Sequence, residues 1–105
     1  MIRDAPATMT AEEIYQLSED HRIAVDFWAQ TCIPCRMLGK SLEEADKELD
    51  EGVEIIKVNV MEAPELANAF FVDMVPQLFI IENRQIVEKA AGALSKDKVL
   101  HLLTF

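Results

Sequence analysis

The sequence predicts an α/β fold, a central mixed β-sheet of four to five strands flanked by about four helices. Two apolar runs carry most of this expectation. Ile23-Ala24-Val25-Asp26-Phe27-Trp28 and Val53-Glu54-Ile55-Ile56-Lys57-Val58-Asn59-Val60 are rich in β-branched residues and largely apolar, the composition of strands covered on both faces. Between them Leu38, Leu42, Ala45 and Leu49 recur at intervals of four, three and four residues, which is one face of a helix. Right-handed crossovers between such strands place helices on both sides of the sheet.

Taken in order, Ile2-Arg3 reads as a short edge strand. Thr10-Ala11-Glu12-Glu13 is a capping box with Met9 and Ile14 placed as a hydrophobic staple. A helix runs from there through Tyr15 and Leu17 and ends near Ser18. The first central strand covers residues 22–29. The next helix is expected over about 32–49, with Glu43, Glu44, Lys47 and Glu48 on its solvated side and Gly52 as its stop. Asp50 and Glu51 oppose the helix dipole at that expected end. The second central strand covers 53–60, and Pro64 suits the first turn of a short helix reaching about residue 70. Strands over 77–81 and 86–91 are joined at Glu82-Asn83-Arg84-Gln85, where Asn83 lacks the glycine that favours such a turn. Ser95 caps a last helix, with Leu94 and Val99 as its staple and Leu102 and Leu103 continuing its apolar face. The order is βαβαββα, or βαβαβαββα with the first strand included.

At 105 residues the chain reads as one domain, 1–105, large enough for its own core. Half of the residues are hydrophobic, which favours an ordinary globular class over disorder. A net charge of −9 without a Lys/Arg cluster excludes a phosphate-binding surface, so no nucleic-acid partner is expected. The longest apolar runs fall far short of the ~20 residues a membrane helix needs. Met1-Ile2-Arg3-Asp4-Ala5-Pro6 has an early acid and lacks the apolar core of a signal peptide. A cytoplasmic monomer is expected.

Cys32-Ile33-Pro34-Cys35 sits where the first central strand ends and the helical pattern begins, and it holds both cysteines of the chain. Unpaired N–H groups and the positive end of the dipole stabilise a thiolate there. Attack on a disulfide needs a thiolate, and expelling the attacker needs a second thiol within reach. The stretch therefore reads as a reversible dithiol/disulfide centre. Structural zinc would want about four ligands, and only His21 and His101 could add imidazoles. Two inert buried cysteines are the other alternative, against which the helix-start position argues. No metal or bound cofactor is expected.

Asp26 interrupts an apolar strand, where an ionised carboxylate is costly unless paired. Lys57 holds the matching position in the second central strand, so a buried ion pair is one reading. The other is a desolvated acid, its pKa raised, that takes and returns a proton as Cys35 attacks or leaves. Cys32, nearer the helix start, is the expected nucleophile and Cys35 the resolving thiol. Pro34 stiffens the first helical turn, and Pro76, between Val75 and an apolar strand, marks a special turn.

Val25-Asp26-Phe27-Trp28-Ala29, Cys32-Ile33-Pro34-Cys35-Arg36, Val75-Pro76, Gly92-Ala93-Leu94-Ser95 and the lone Lys57 together resemble the thioredoxin family over essentially the whole chain. The resemblance implies the thioredoxin fold and reversible reduction of protein disulfides, an electron-carrying oxidoreductase activity in cell redox homeostasis. It implies that Cys32 is the nucleophile, Cys35 the resolving thiol and Asp26 its proton acceptor, cycling through a Cys32–Cys35 disulfide. Ile33, Pro34 and Lys57 would tune the redox potential. Pro76 would be a cis proline that keeps the dithiol free of metal, and Val75 would offer its backbone to an extended substrate. Trp28 would pack beneath the active-site loop, and Gly92 would keep the docking surface flat. The chain departs from the family pattern at Thr31, where a tryptophan is usual, and at Ile33, where a glycine is usual. Gln77 stands for a common threonine and Lys40 for a helix-kinking proline. Thr31 and Ile33 both lie on the expected docking surface, so partner choice is where the chain should differ. The implied partners are a thioredoxin reductase or related electron donor and disulfide-containing client proteins. A more oxidising oxidase or isomerase, and an interaction module in which redox cycling is secondary, are the alternatives.

Overall fold

The computed structural model describes residues 1–104, so Phe105, the end of the expected 1–105 unit, lies outside the described residues. The elements run β1 (Ile2–Asp4), α1 (Ala11–Leu17), β2 (Arg22–Trp28), α2 (Ile33–Asp46), β3 (Val53–Asn59), α3 (Pro64–Ala69), β4 (Gln77–Glu82), β5 (Gln85–Ala91) and α4 (Lys96–Thr104). This is the longer of the two expected orders. The strands form one sheet in the spatial order β1-β3-β2-β4-β5. β1, β3 and β2 are parallel, while β4 runs antiparallel to both β2 and β5.

Side chains alternate across the two central strands and feed two separate cores. Ile23, Val25, Phe27, Ile56 and Val58 point to the face covered by Ile14 of α1 and Leu66 of α3. Phe27, Phe70 and Phe79 meet there with ring centroids 5.4 to 5.5 Å apart in tilted or edge-on pairs. Ala24, Ile55, Leu78 and Ile80 point the other way, against Leu38 and Leu42 of α2 and Val99 and Leu103 of α4. The expected caps form: Glu13 N–H donates to Thr10 Oγ1, and Lys98 N–H donates to Ser95 Oγ.

α2 ends at Asp46, short of the expected boundary, and Leu49 lies in the turn that follows. Leu49 still packs against the α2–α4 core, so the apolar spacing recorded burial beyond the helical backbone. Gly52 is therefore not the helix stop. Its N–H donates to Asp50 Oδ1 at 3.3 Å in the turn before β3, which gives Asp50 a turn-forming role outside the helix.

The β4–β5 turn closes without glycine. Asn83 and Arg84 both take left-handed backbone, with φ of 50° and 65°, as a two-residue hairpin turn demands. The conformation is held from outside. Asn83 N–H donates to the Ser18 carbonyl at 2.9 Å, and Arg84 N–H donates to Ser18 Oγ at 2.8 Å. The Ser18 hydroxyl in turn donates to the Tyr15 carbonyl at 2.6 Å, and the Arg84 guanidinium pairs with Glu12 and Glu19. Ser18 is buried, so Ser18→Ala leaves a backbone N–H short of its acceptor. The variant is expected to lose about 1–3 kcal/mol in urea unfolding at unchanged slope; a loss of a few tenths would show that the turn holds itself.

Candidate active site

β2 ends at Trp28, and the chain passes through Ala29, Gln30 and Thr31 to α2. Cys32 is the N-cap of α2, not its first helical residue, with φ −94° and ψ 110°. Its Sγ accepts from Cys35 N–H at 3.2 Å, the bond that a Ser or Asp oxygen makes at most N-caps. Pro34 sits in the first turn, where a missing N–H is harmless. Cys32 and Cys35 are joined as a disulfide with Cα atoms 5.2 Å apart. Cys32 is partly exposed, while Cys35 is buried at 3 % exposure on the inner face of α2.

The start of β4 meets this pair from the side. The Val75–Pro76 peptide is cis, and the Val75 carbonyl oxygen lies 3.9 Å from Cys32 Sγ. Pro76 is buried, and its carbonyl accepts from Gly92 N–H at 3.2 Å. Gly92 has φ 93°, and a Cβ there would meet nothing within 4 Å. Backbone conformation, rather than crowding, is what calls for glycine.

Asp26 is fully buried on β2, in register with Lys57 on β3 and Leu78 on β4. Its two carboxylate oxygens have no hydrogen-bond partner among the described residues, so the buried ion pair with Lys57 does not form. Loss of water pushes the Asp26 pKa up to about 7, and the charge of Lys57 opposes that rise. Lys57 Nζ lies 5.4 Å from the centre of the Trp28 ring, within cation–π range. A cavity of about 420 Å³ opens here between Trp28 and Lys57 on the sheet and Cys35, Gly39, Lys40 and Glu43 on α2.

The structure thus gathers Asp26, Trp28, Thr31, Cys32, Ile33, Pro34, Cys35, Lys57, Val75, Pro76 and Gly92 at one end of the sheet. It adds a hollow of about 240 Å³ bounded by Val60, Ala67, Val72, Asp73, Met74 and Val75, apolar except for Asp73, which the sequence reading missed. Met74 was the available signal, an apolar residue next to Val75-Pro76 that is 57 % exposed. Ile33, next to Cys32 at the start of α2, is another exposed apolar side chain, at 67 % exposure. Another hollow, at Arg22, Glu82 and His101, lies at the far end of the sheet and contains none of the predicted site residues.

Residues 7–104 match the family model described as Thioredoxin. A thioredoxin of Buchnera aphidicola subsp. Acyrthosiphon pisum is 39 % identical over 79 residues, 75 % of this chain and 73 % of the relative. Thioredoxins of Listeria monocytogenes serovar 1/2a and Bacillus subtilis are 36 % and 33 % identical, over 80 % and 77 % of this chain and 82 % and 78 % of theirs. With the Cys32–Cys35 pair in place, the activity is that of a protein-disulfide oxidoreductase, and neither the more oxidising alternative nor the interaction module is favoured. The chain belongs to the thioredoxin family.

Proposed function

We propose that this chain reduces protein disulfides with Cys32 as nucleophile, Cys35 as resolving thiol and Asp26 as the proton acceptor for Cys35. The asymmetry of the pair supports this most directly: Cys32 is reachable at the N-cap, and Cys35 is covered on the helix face turned toward the strand of Asp26. In the reduced state the Cys35 N–H and the first turn of α2 stabilise a thiolate on Cys32. That thiolate attacks one sulfur of a client disulfide. A Cys32–client disulfide forms, the client S–S bond breaks, and the departing client thiolate takes a proton from water. Cys35 then gives its proton to the Asp26 carboxylate and attacks Cys32 Sγ. The Cys32–Cys35 disulfide forms and the second client sulfur leaves as a thiolate. The client gains the two electrons that the dithiol loses, and a thioredoxin reductase or related donor returns them. An acid titrating near neutrality suits the exchange, since both of its forms are then accessible.

The client segment lies extended along Val75, bordered by Trp28, Thr31 and Gly92, with an apolar side chain in the hollow at Val60, Val72 and Met74. Ile33 and Pro34, beside the nucleophile, and Lys57, beside the acid, tune the potential. A cytoplasmic monomer fits a chain whose two cysteines both serve the motif. Among the described residues no helix is long and apolar enough to cross a membrane.

Cys35→Ser keeps the attacking thiol and removes the resolving one, so mixed disulfides with clients should accumulate on non-reducing gels of treated extract. Cys32→Ser should trap little and reduce nothing. Equal trapping by the two variants, or more by Cys32→Ser, would overturn the assignment.

Asp26→Ala should slow turnover and stabilise the fold in a pH-dependent way. The folded pKa, about 7, lies above the unfolded value near 3.8, so the folded state holds the proton more tightly. Below the lower value both states are protonated and the acid carries no ionisation penalty. Stability falls as pH rises between the two values, and the loss is complete above the folded pKa. The gain from Asp26→Ala should therefore be small at pH 4 and larger at pH 8, with roughly 4 kcal/mol as its ceiling. Urea unfolding at both pH values measures it; a gain that shrinks with rising pH would show Asp26 held ionised in the fold.

A further inference from the structure

Gly39 stands in the interior of α2, where glycine weakens a helix relative to alanine. Its backbone is not left-handed, so conformation does not call for it. Its surroundings do. Gly39 is buried, and a Cβ on it would stand 3.2 Å from Lys57 Nζ, tighter than ordinary van der Waals contact. The same ammonium lies 5.4 Å from the centre of the Trp28 ring. Leu38, Leu42 and Leu78 are fully buried in the core that α2 covers. Gly39 and Lys57 both line the cavity that Lys40 and Glu43 rim, which offers the ammonium space to move outward.

We propose that Gly39 is a positioning residue: its missing Cβ lets α2 close onto Lys57 and keep the ammonium between the helix backbone and Trp28, on the face that carries Asp26. A Cβ at this position drives the ammonium outward into the cavity and away from the acid. The functional consequence rests on the reading of Asp26 as the proton acceptor for Cys35. The charged and titratable groups around Asp26 are few. β3 supplies Lys57, and α2 supplies Arg36, Lys40 and Glu43 at the cavity rim, while Cys35 is held in the disulfide and carries no titratable thiol. β4 presents Leu78, and α4 contributes Val99, Leu102 and Leu103 to this core, all uncharged. Among the described residues, Lys57 is the one that a Cβ at position 39 meets.

The test is a double-mutant cycle on the oxidised full chain, with the Asp26 carboxyl followed by carbon-detected NMR across pH. Gly39→Ala should raise the Asp26 midpoint by roughly 0.2 pH unit as the cation recedes by a few tenths of an ångström. Gly39→Ser carries the same Cβ and should do likewise. In a Lys57→Gln background, Gly39→Ala should leave the midpoint where Lys57→Gln alone puts it. No shift, a downward shift, or the same upward shift without Lys57 would overturn the proposal. The pH profile of mixed-disulfide resolution is measured in parallel and should move with the carboxyl midpoint. A carboxyl that shifts while the kinetic profile stays put would uphold the positioning of Lys57 and overturn the role of Asp26 in resolution.

Discussion

Between Lys57 and Leu78 the carboxyl of Asp26 is shut off from solvent and gains no hydrogen bond from the described residues in exchange. Ionised, it would be among the costliest groups in the molecule. Neutral, it costs far less, and its raised pKa records that preference. The neighbouring elements set how far the preference goes. Lys57 pulls it back, and the apolar packing of Leu38, Leu42 and Leu78 sustains it. A fold that gives up stability in this way keeps an acid whose proton can move near neutral pH, the usual relation between strain and function.

Topology explains why the dithiol and the Val75–Pro76 turn meet. β2 is central, and α2 leaves from its C-terminal end to cross toward β3. β4 pairs with β2 in the antiparallel sense, so its beginning lies at the same end, with Gln77 opposite Phe27. The residues just before β4 must therefore lie beside the N-cap of α2. Gly92, at the far end of β5, returns to that place because β5 pairs antiparallel with β4, Gln77 opposite Ala91. Segments distant in the chain converge on one end of the sheet through register alone.

The sheet, its helices and the dithiol were legible because each rests on local chemistry: apolar alternation, caps at Thr10 and Ser95, and thiols at a helix start. Asp26 was legible as an anomaly, since an acid inside an apolar strand needs a reason. The end of α2 was misread at Leu49 because burial continues past the last helical residue. The β4–β5 turn was only half readable. Its missing glycine is replaced by bonds to Ser18, a residue far away in sequence. Gly39 was passed over for the same reason, because the atom that makes it necessary belongs to β3.

The surface around the site combines two opposed demands. Ile33, Met37 and Met74 are well exposed beside or near the sulfur pair, and exposed apolar area of this kind favours association with any apolar partner, including another copy. The net charge of −9 acts at longer range and keeps like molecules apart. Screening limits that repulsion to about 8 Å at physiological ionic strength, so it governs approach rather than contact. At contact, Arg36 and Lys40 on α2 soften the negative field beside the disulfide. On the proposed function, a client with an apolar segment next to its own disulfide suits this surface better than a second copy, which carries the same net charge. Thr31 is a small side chain, so the large exposed apolar side chains beside the disulfide include Ile33 and Met74.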